Sequence, residues 1–237
     1  MNTKDLFGKS IYDYWFDNQP EDLYTRTNLT DEEVLPVKYL FRSFEEMPLP
    51  EQQALLLAQG KILDVGAGSG THSIWLQKHG KDVTALDFSE YGNKVLKDRK
   101  INKVIHTDFF QYKTDEKYDT VLFLMNGIGI IEKAIYADRL FIKLEELLKP
   151  EGVAYIHSSD LKYLYEESGG YLMPQEGYYG DVRFTIKYKE EEESFNWTYI
   201  DEQTLQVFAQ QNNFEAQKIA ESEFGDFLIK VWKKSNK

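Results

Sequence analysis

The chain has no cysteine among its 237 residues. Disulfides, thiolate nucleophiles and cysteine-based metal sites are excluded, and no metal is expected. That composition fits a cytoplasmic setting. A long apolar run is also missing. The longest, Val121 to Ile131, falls well short of the roughly 20 residues that span a bilayer. It reads as a buried strand and the loop after it. Met1-Asn2-Thr3-Lys4-Asp5 is not followed by the apolar core of a signal peptide. There is no dense Lys/Arg cluster, and the formal net charge is -12. Such a surface repels phosphate backbones and anionic lipid, so neither nucleic acid nor membrane is an expected partner. Internal repeats and low-complexity tracts are absent too.

What is present is a globular composition, 42% hydrophobic, in a chain long enough for one large α/β domain. Aromatic residues reach 15%, with 16 Tyr and 15 Phe. Such a surplus either packs a core or lines an apolar ligand site.

Residues 1–60 read as helical and polar-aromatic, with no strand pattern, and Pro50 opens a short helix. From Lys61 the texture changes. β-rich runs at Lys61–Val65, Asp82–Asp87, Lys103–Thr107, Tyr118–Leu124 and Gly152–Ser158 alternate with helical segments at Thr71–His79, Ser89–Lys100 and Ile131–Leu148. This alternation predicts a doubly wound, mainly parallel sheet with helices on both faces. Residues 180–200 break the rhythm. Val182, Phe184, Ile186 and Tyr188 alternate with polar residues, as do Phe195, Trp197 and Tyr199. They predict an inserted antiparallel hairpin with an aromatic face, and the run Glu190–Glu193 reads as its solvated turn. A helix over Thr204–Gln211 and two strands near Glu215–Ala220 and Phe227–Trp232 close the chain.

The first strand ends in Asp64-Val65-Gly66-Ala67-Gly68-Ser69-Gly70, and a helix follows. Glycines permit a tight turn at positive φ and close approach of a ligand. The dinucleotide fingerprint G-x-G-x-x-G would need a small residue at position 71, where Thr71 stands. The acidic Asp64 ahead of the loop suits a ligand with an ammonium and a sulfonium better than a pyrophosphate. A nicotinamide-dependent oxidoreductase is thus disfavoured. Asp87, ending the second strand, has the acceptor capacity for a ribose diol. Asp108, after the third, suits an adenine amine, with Phe88 or Phe109 against the base.

In KILDVGAGSG (61–70), VTALDFS (83–89), HTDFF (106–110), YDTVLFLMNGIG (118–129) and LLKPEGVAYI (147–156) the chain resembles the class I S-adenosylmethionine (SAM)-dependent methyltransferases. The resemblance covers roughly residues 60 to 160. It implies a Rossmann-like, seven-stranded sheet whose last strand is antiparallel. It implies methyl transfer from SAM, with S-adenosylhomocysteine (SAH) as product. It places Asp64, Gly66, Ala67, Gly68 and Gly70 around the methionine portion, Asp87 on the ribose, Asp108 on the adenine amine and Asn126 beside the methyl group. Base-modifying members carry an Asn/Asp-Pro-Pro-aromatic motif where this chain reads Met125-Asn126-Gly127-Ile128-Gly129. A small-molecule acceptor is therefore expected. A non-catalytic SAM-binding protein or a protein side-chain methyltransferase are the alternatives.

The remaining expectations concern the acceptor side. His157 and Asp160 follow the fifth strand, at the edge where a general base would stand. His72 reads as solvent-facing or structural. Tyr12, Tyr14, Trp15 and Trp197 are candidate substrate contacts. Residues 1–60 would form a lid on the domain spanning 61–237, in a monomer or homodimer.

Overall fold

The computed structural model describes residues 4–168 and 170–234. Helix α1 (Leu6–Trp15) and two short strands, β1 (Leu23–Thr27) and β2 (Glu33–Leu35), come first. Helix α2 (Leu49–Leu57) carries Pro50 in its first turn, where no backbone N–H is required. Strands and helices then alternate: β3 (Lys61–Val65), α3 (Thr71–Lys78), β4 (Asp82–Asp87), α4 (Glu90–Asp98), β5 (Val104–His106), β6 (Tyr118–Phe123), α5 (Ala137–Leu147) and β7 (Leu148–Ser159). The two-residue strands β8 (Glu166–Glu167) and β9 (Gly170–Tyr171) precede the long pair β10 (Asp181–Tyr188) and β11 (Glu191–Thr198). Helix α6 (Glu202–Gln211), β12 (Phe214–Glu221) and β13 (Asp226–Lys233) follow.

A seven-stranded sheet runs in the order β12-β13-β7-β6-β3-β4-β5. Strands β3 to β7 pair in parallel, while β13 lies antiparallel between β7 and β12. This is the doubly wound sheet that the strand–helix alternation predicts. Side-chain alternation explains the two covered faces. Ile62 packs with Leu55 of α2, Leu76 of α3 and Tyr155 on one face. Its neighbours Leu63 and Val65 point the other way, toward Phe123, Ile156 and the α5 residues Leu140 and Phe141. Each fully buried Leu or Phe there contributes roughly 1.5–3 kcal/mol. The helices start on local caps. Ser89 Oγ accepts from Gly92 N at 2.7 Å for α4, and Asp201 accepts from Thr204 N at 3.0 Å for α6.

The first 60 residues differ from their reading as strand-free. Strands β1 and β2 join β10 and β11 in a second, antiparallel sheet of order β11-β10-β1-β2. The 180–200 segment is thus half of a four-stranded sheet, not a free hairpin. The Glu run differs as well. Tyr188 pairs with Glu191, so the turn is only Lys189 and Glu190, and Glu191–Glu193 belong to β11. These carboxylates hold α1 in place. Glu193 accepts the backbone N–H groups of Lys4 and Leu6, each at 2.8 Å, and Glu191 pairs with Lys9 at 3.1 Å. Negative charge at a helix N-terminus is favourable, and here it fastens the helix to the sheet. Leu6, Ile11, Leu23, Ile186 and Tyr188 form the buried interface.

Candidate active site

Strand β3 sits where the chain's winding reverses, flanked by β4 and β6. In open α/β sheets, ligands bind beyond the carboxyl ends of the strands at such a point. The glycine loop lies there. Gly66, Gly68 and Gly70 have φ of 71°, 53° and 83°. They play different parts. A Cβ on Gly70 would stand 2.6 Å from Ile101 and 2.7 Å from Leu96, so this glycine is needed for packing. A Cβ on Gly66 would meet no atom within 4 Å. Its backbone borders open space.

Two buried carboxylates flank the loop. Asp87 accepts the N–H of Gly68 at 2.7 Å on one oxygen and that of Ser89 at 2.8 Å on the other. Burial pushes its carboxyl up to about 6, against those two hydrogen bonds. Each oxygen keeps a second acceptor site. Asp64 accepts from Ser73 Oγ at 2.6 Å and is also raised above the usual carboxylate range by burial.

A cavity of about 330 Å³ joins these groups to the second sheet. Its floor is the loop, with Asp64, Asp87 and Phe88. Helix α1 closes one side with Asp5, Phe7, Gly8 and Ile11. Gly8 lets the helix come this close, since a Cβ there would meet Ser89 Oγ at 1.9 Å. Asp5 accepts from that hydroxyl at 2.9 Å. The roof is Phe184, Phe195, Trp197 and Tyr199. Gly129 is the seat for Trp197, because a Cβ would lie 2.0 Å from the indole.

A buried ionic cluster under the loop escaped the sequence reading. Arg42, Glu51 and His72 are 5%, 1% and 7% exposed, although they look like surface residues in sequence. His72 is therefore not solvent-facing. Its Nε2–H donates to Glu51 at 2.7 Å, and Arg42 Nη2 donates to the same carboxylate oxygen. Burial acts to raise Glu51, but the His72 hydrogen bond and the charges of His72 and Arg42 outweigh it and hold the carboxyl at about 2. Arg42 also donates from Nη1 to Tyr39 O at 2.9 Å, yet its buried Nε has no partner among the described residues. Arg42 and His72 both border the cavity. The only sequence signal was the charge of these residues, which lie far apart along the chain.

Asn126 follows β6 in a left-handed conformation, φ 55° and ψ 35°, and borders the cavity. Its N–H donates to His157 Nδ1 at 3.0 Å, and Ser159 Oγ donates to its Oδ1 at 2.9 Å. His157 then donates from Nε2 to Asp226 at 2.8 Å. Both ring nitrogens are engaged and the residue is 3% exposed, behind Asn126 rather than on the cavity. In this arrangement it supports Asn126. Asp160 is likewise away from the cavity, accepting from Lys162 N and from the Tyr179 hydroxyl, each at 2.8 Å.

The other predicted residues divide. Gly66, Ala67, Gly68, Asp64, Asp87, Phe88, Asn126 and Trp197 are brought together around one cavity. Phe109 is not against a ligand. Its ring is 1% exposed and packs edge-on to Phe123 in the core. Asp108 caps the turn after β5, with Oδ1 accepting from Phe110 N and Gln111 N. Tyr12 packs on Tyr91, and Tyr14 on Phe41. Phe7 and Ile11 share a helix face with Trp15, but Trp15 lies a turn further on. There it stacks on Phe41 and donates to Asp98 at 2.8 Å, past the end of the cavity.

A family model described as a methyltransferase domain matches residues 38–219, which take in the loop, both carboxylates and the strands around them. The chain belongs to the SAM-dependent class I methyltransferases. A crystal structure of a SAM-dependent methyltransferase from Bacteroides fragilis, in complex with SAH, superposes with a TM-score of 0.90 at 38% identity, covering 98% of this chain and 96% of that one. A ubiquinone biosynthesis O-methyltransferase from Pasteurella multocida is 29% identical over 116 residues, 44% of this chain and 48% of that one. A putative methyltransferase from Geobacillus sp. (strain WCH70) is 27% identical over 106 residues, 42% and 43% of the two chains. This methyltransferase spans less than half the length of either of those two curated relatives.

The residues present fit the family's cofactor. The open backbone at Gly66 leaves room for a ligand's chain. Buried Asp64 and Asp87 bear a burial cost that an ammonium and a pair of hydroxyls would offset.

Proposed function

We propose that this methyltransferase transfers the methyl group of SAM to a small molecule bound under the aromatic roof. One observation carries the reading: a single covered cavity connects the Asp64–Asp87 floor to Trp197. A recessed, partly covered site of this volume suits a small ligand.

The chain's own residues divide the work. Asp64 holds the ammonium of the methionine portion. Asp87 takes the ribose hydroxyls, and Phe88 lies against the adenine. Asp108 keeps its Oδ2 for the adenine amine, since both its observed bonds end on Oδ1. Asn126, braced by His157 and Ser159, borders the reacting centre. Helix α1 and the roof exclude water and align the acceptor. SAM supplies the reactive carbon for direct displacement, and alignment by the protein is worth roughly 7–11 kcal/mol of barrier. The test is incubation with methyl-tritiated SAM and a cell extract separated into small-molecule and protein fractions. Label is expected in the small-molecule fraction. Label confined to protein, or none beyond a boiled control, would overturn the reading.

A further inference from the structure

We propose that the methyl acceptor is an amine, held against the ring surfaces of Phe184, Phe195, Trp197 and Tyr199. The proposal rests on the reading that these residues form the acceptor end of the cavity.

An anionic acceptor needs a cation. The cavity's permanent cation is Arg42, which Glu51 already neutralises and whose unpartnered Nε is buried away from the open space. A hydroxyl acceptor needs a base to remove its proton. The cavity's carboxylates already accept hydrogen bonds, and of its imidazole nitrogens only the Nδ1 of His72 is without a partner among the described residues. His72 gives its Nε2–H to Glu51, Asp64 is held by Ser73, Asp5 by Ser89, and Asp87 by two backbone N–H groups. Burial pushes the Tyr199 hydroxyl up to about 12, so it stays protonated. His157 has both nitrogens engaged.

A neutral amine needs no cation beside it, and an acceptor that is an ammonium in water gives its proton to solvent before it reacts. Its nitrogen lone pair forms the new N–C bond as the C–S bond breaks, and the electron pair of that bond goes to sulfur. Positive charge passes from the sulfonium to the new ammonium, which sheds any N–H proton to solvent after release. Aromatic faces attract such a cation without costly desolvation of a carboxylate. The roof is arranged as a wall of rings. Phe184 and Phe195 stack at 5.6 Å, and Phe195 meets Trp197 edge-on at 5.9 Å. The surrounding chain, at -12, favours a cation over an anion at the cavity mouth.

The test compares two probes of equal shape, choline and 3,3-dimethyl-1-butanol, by calorimetry on the full chain saturated with SAH. The proposal expects the quaternary ammonium to bind about tenfold tighter than the neutral isostere. It expects the preference to vanish in Trp197→Leu and to shrink in the milder Phe195→Leu, with SAH affinity unchanged in both. Equal affinities, or no binding of the ammonium, in a protein that still binds SAH would overturn the amine assignment alone. Loss of SAH binding by the unmodified chain would instead sink the reading beneath it.

Discussion

Asp87 shows how one carboxyl ties the fold to ligand binding. Burial lifts it to about 6, so below that pH it is increasingly protonated. A protonated carboxyl loses an acceptor oxygen, while a ribose diol offers two donors. Binding therefore favours the ionised form, and affinity falls as pH drops. SAH titrated calorimetrically at pH 7.5, 6 and 5 is expected to weaken below about 6, by up to about tenfold per unit. A flat profile would remove Asp87 from the ribose. Glu51 carries the opposite sign. Its carboxyl is held at about 2, below the ordinary 4.5, so the stability it contributes is fully present above 4.5 and is lost progressively as pH falls from there through 2. Glu51→Gln leaves Arg42 and His72 buried without their counter-charge. Urea melts at pH 7 are expected to show a loss of about 3–5 kcal/mol. Asp87 and the loop glycines were legible in sequence because local order alone sets their geometry. The Arg42–Glu51–His72 cluster was not, because α2, α3 and the segment before them must pack before those charges meet.

Among the elements, the parallel strands announced themselves. Ile62–Leu63 and Val121–Phe123 are apolar on both faces, and only burial under helices on each side explains that. Strands β1 and β2 gave no such sign. Leu-Tyr-Thr-Arg-Thr is short, only Leu23 is fully buried, and its partner β10 begins more than 150 residues later. The acidic run was misjudged for a related reason: charge next to a turn resembles a solvated tip until a helix N-terminus arrives beside it. That contact has a measurable consequence. Glu193→Ala removes the acceptor for the N–H groups of Lys4 and Leu6 at the start of α1. Hydrogen–deuterium exchange is expected to quicken in α1 while β3 and β6 stay protected. Unchanged α1 exchange would show that apolar contacts alone hold the helix.

At the scale of the whole molecule, two layers divide the task. The seven-stranded sheet supplies a rigid floor, and α1 with the four-stranded sheet supplies a cover built from both ends of the sequence. We propose that residues 1–60 act as a lid integral to the domain at 61–237, since α1 contributes a cavity wall. Among the described residues no helix is long and apolar enough to cross a membrane. The floor, with its order of strands and its glycine turn, could be read before the fold was seen. The cover could not, because its two halves are separated along the chain by five of the central sheet's seven strands. Everything above depends on the floor binding the methyl donor's product. Calorimetric titration of the purified chain with SAH, beside an Asp87→Ala control of matched folded content, tests that most directly. Micromolar binding that the substitution weakens at least tenfold is the predicted result. A folded chain that does not bind SAH, or an Asp87→Ala variant that binds it equally well, would contradict the account.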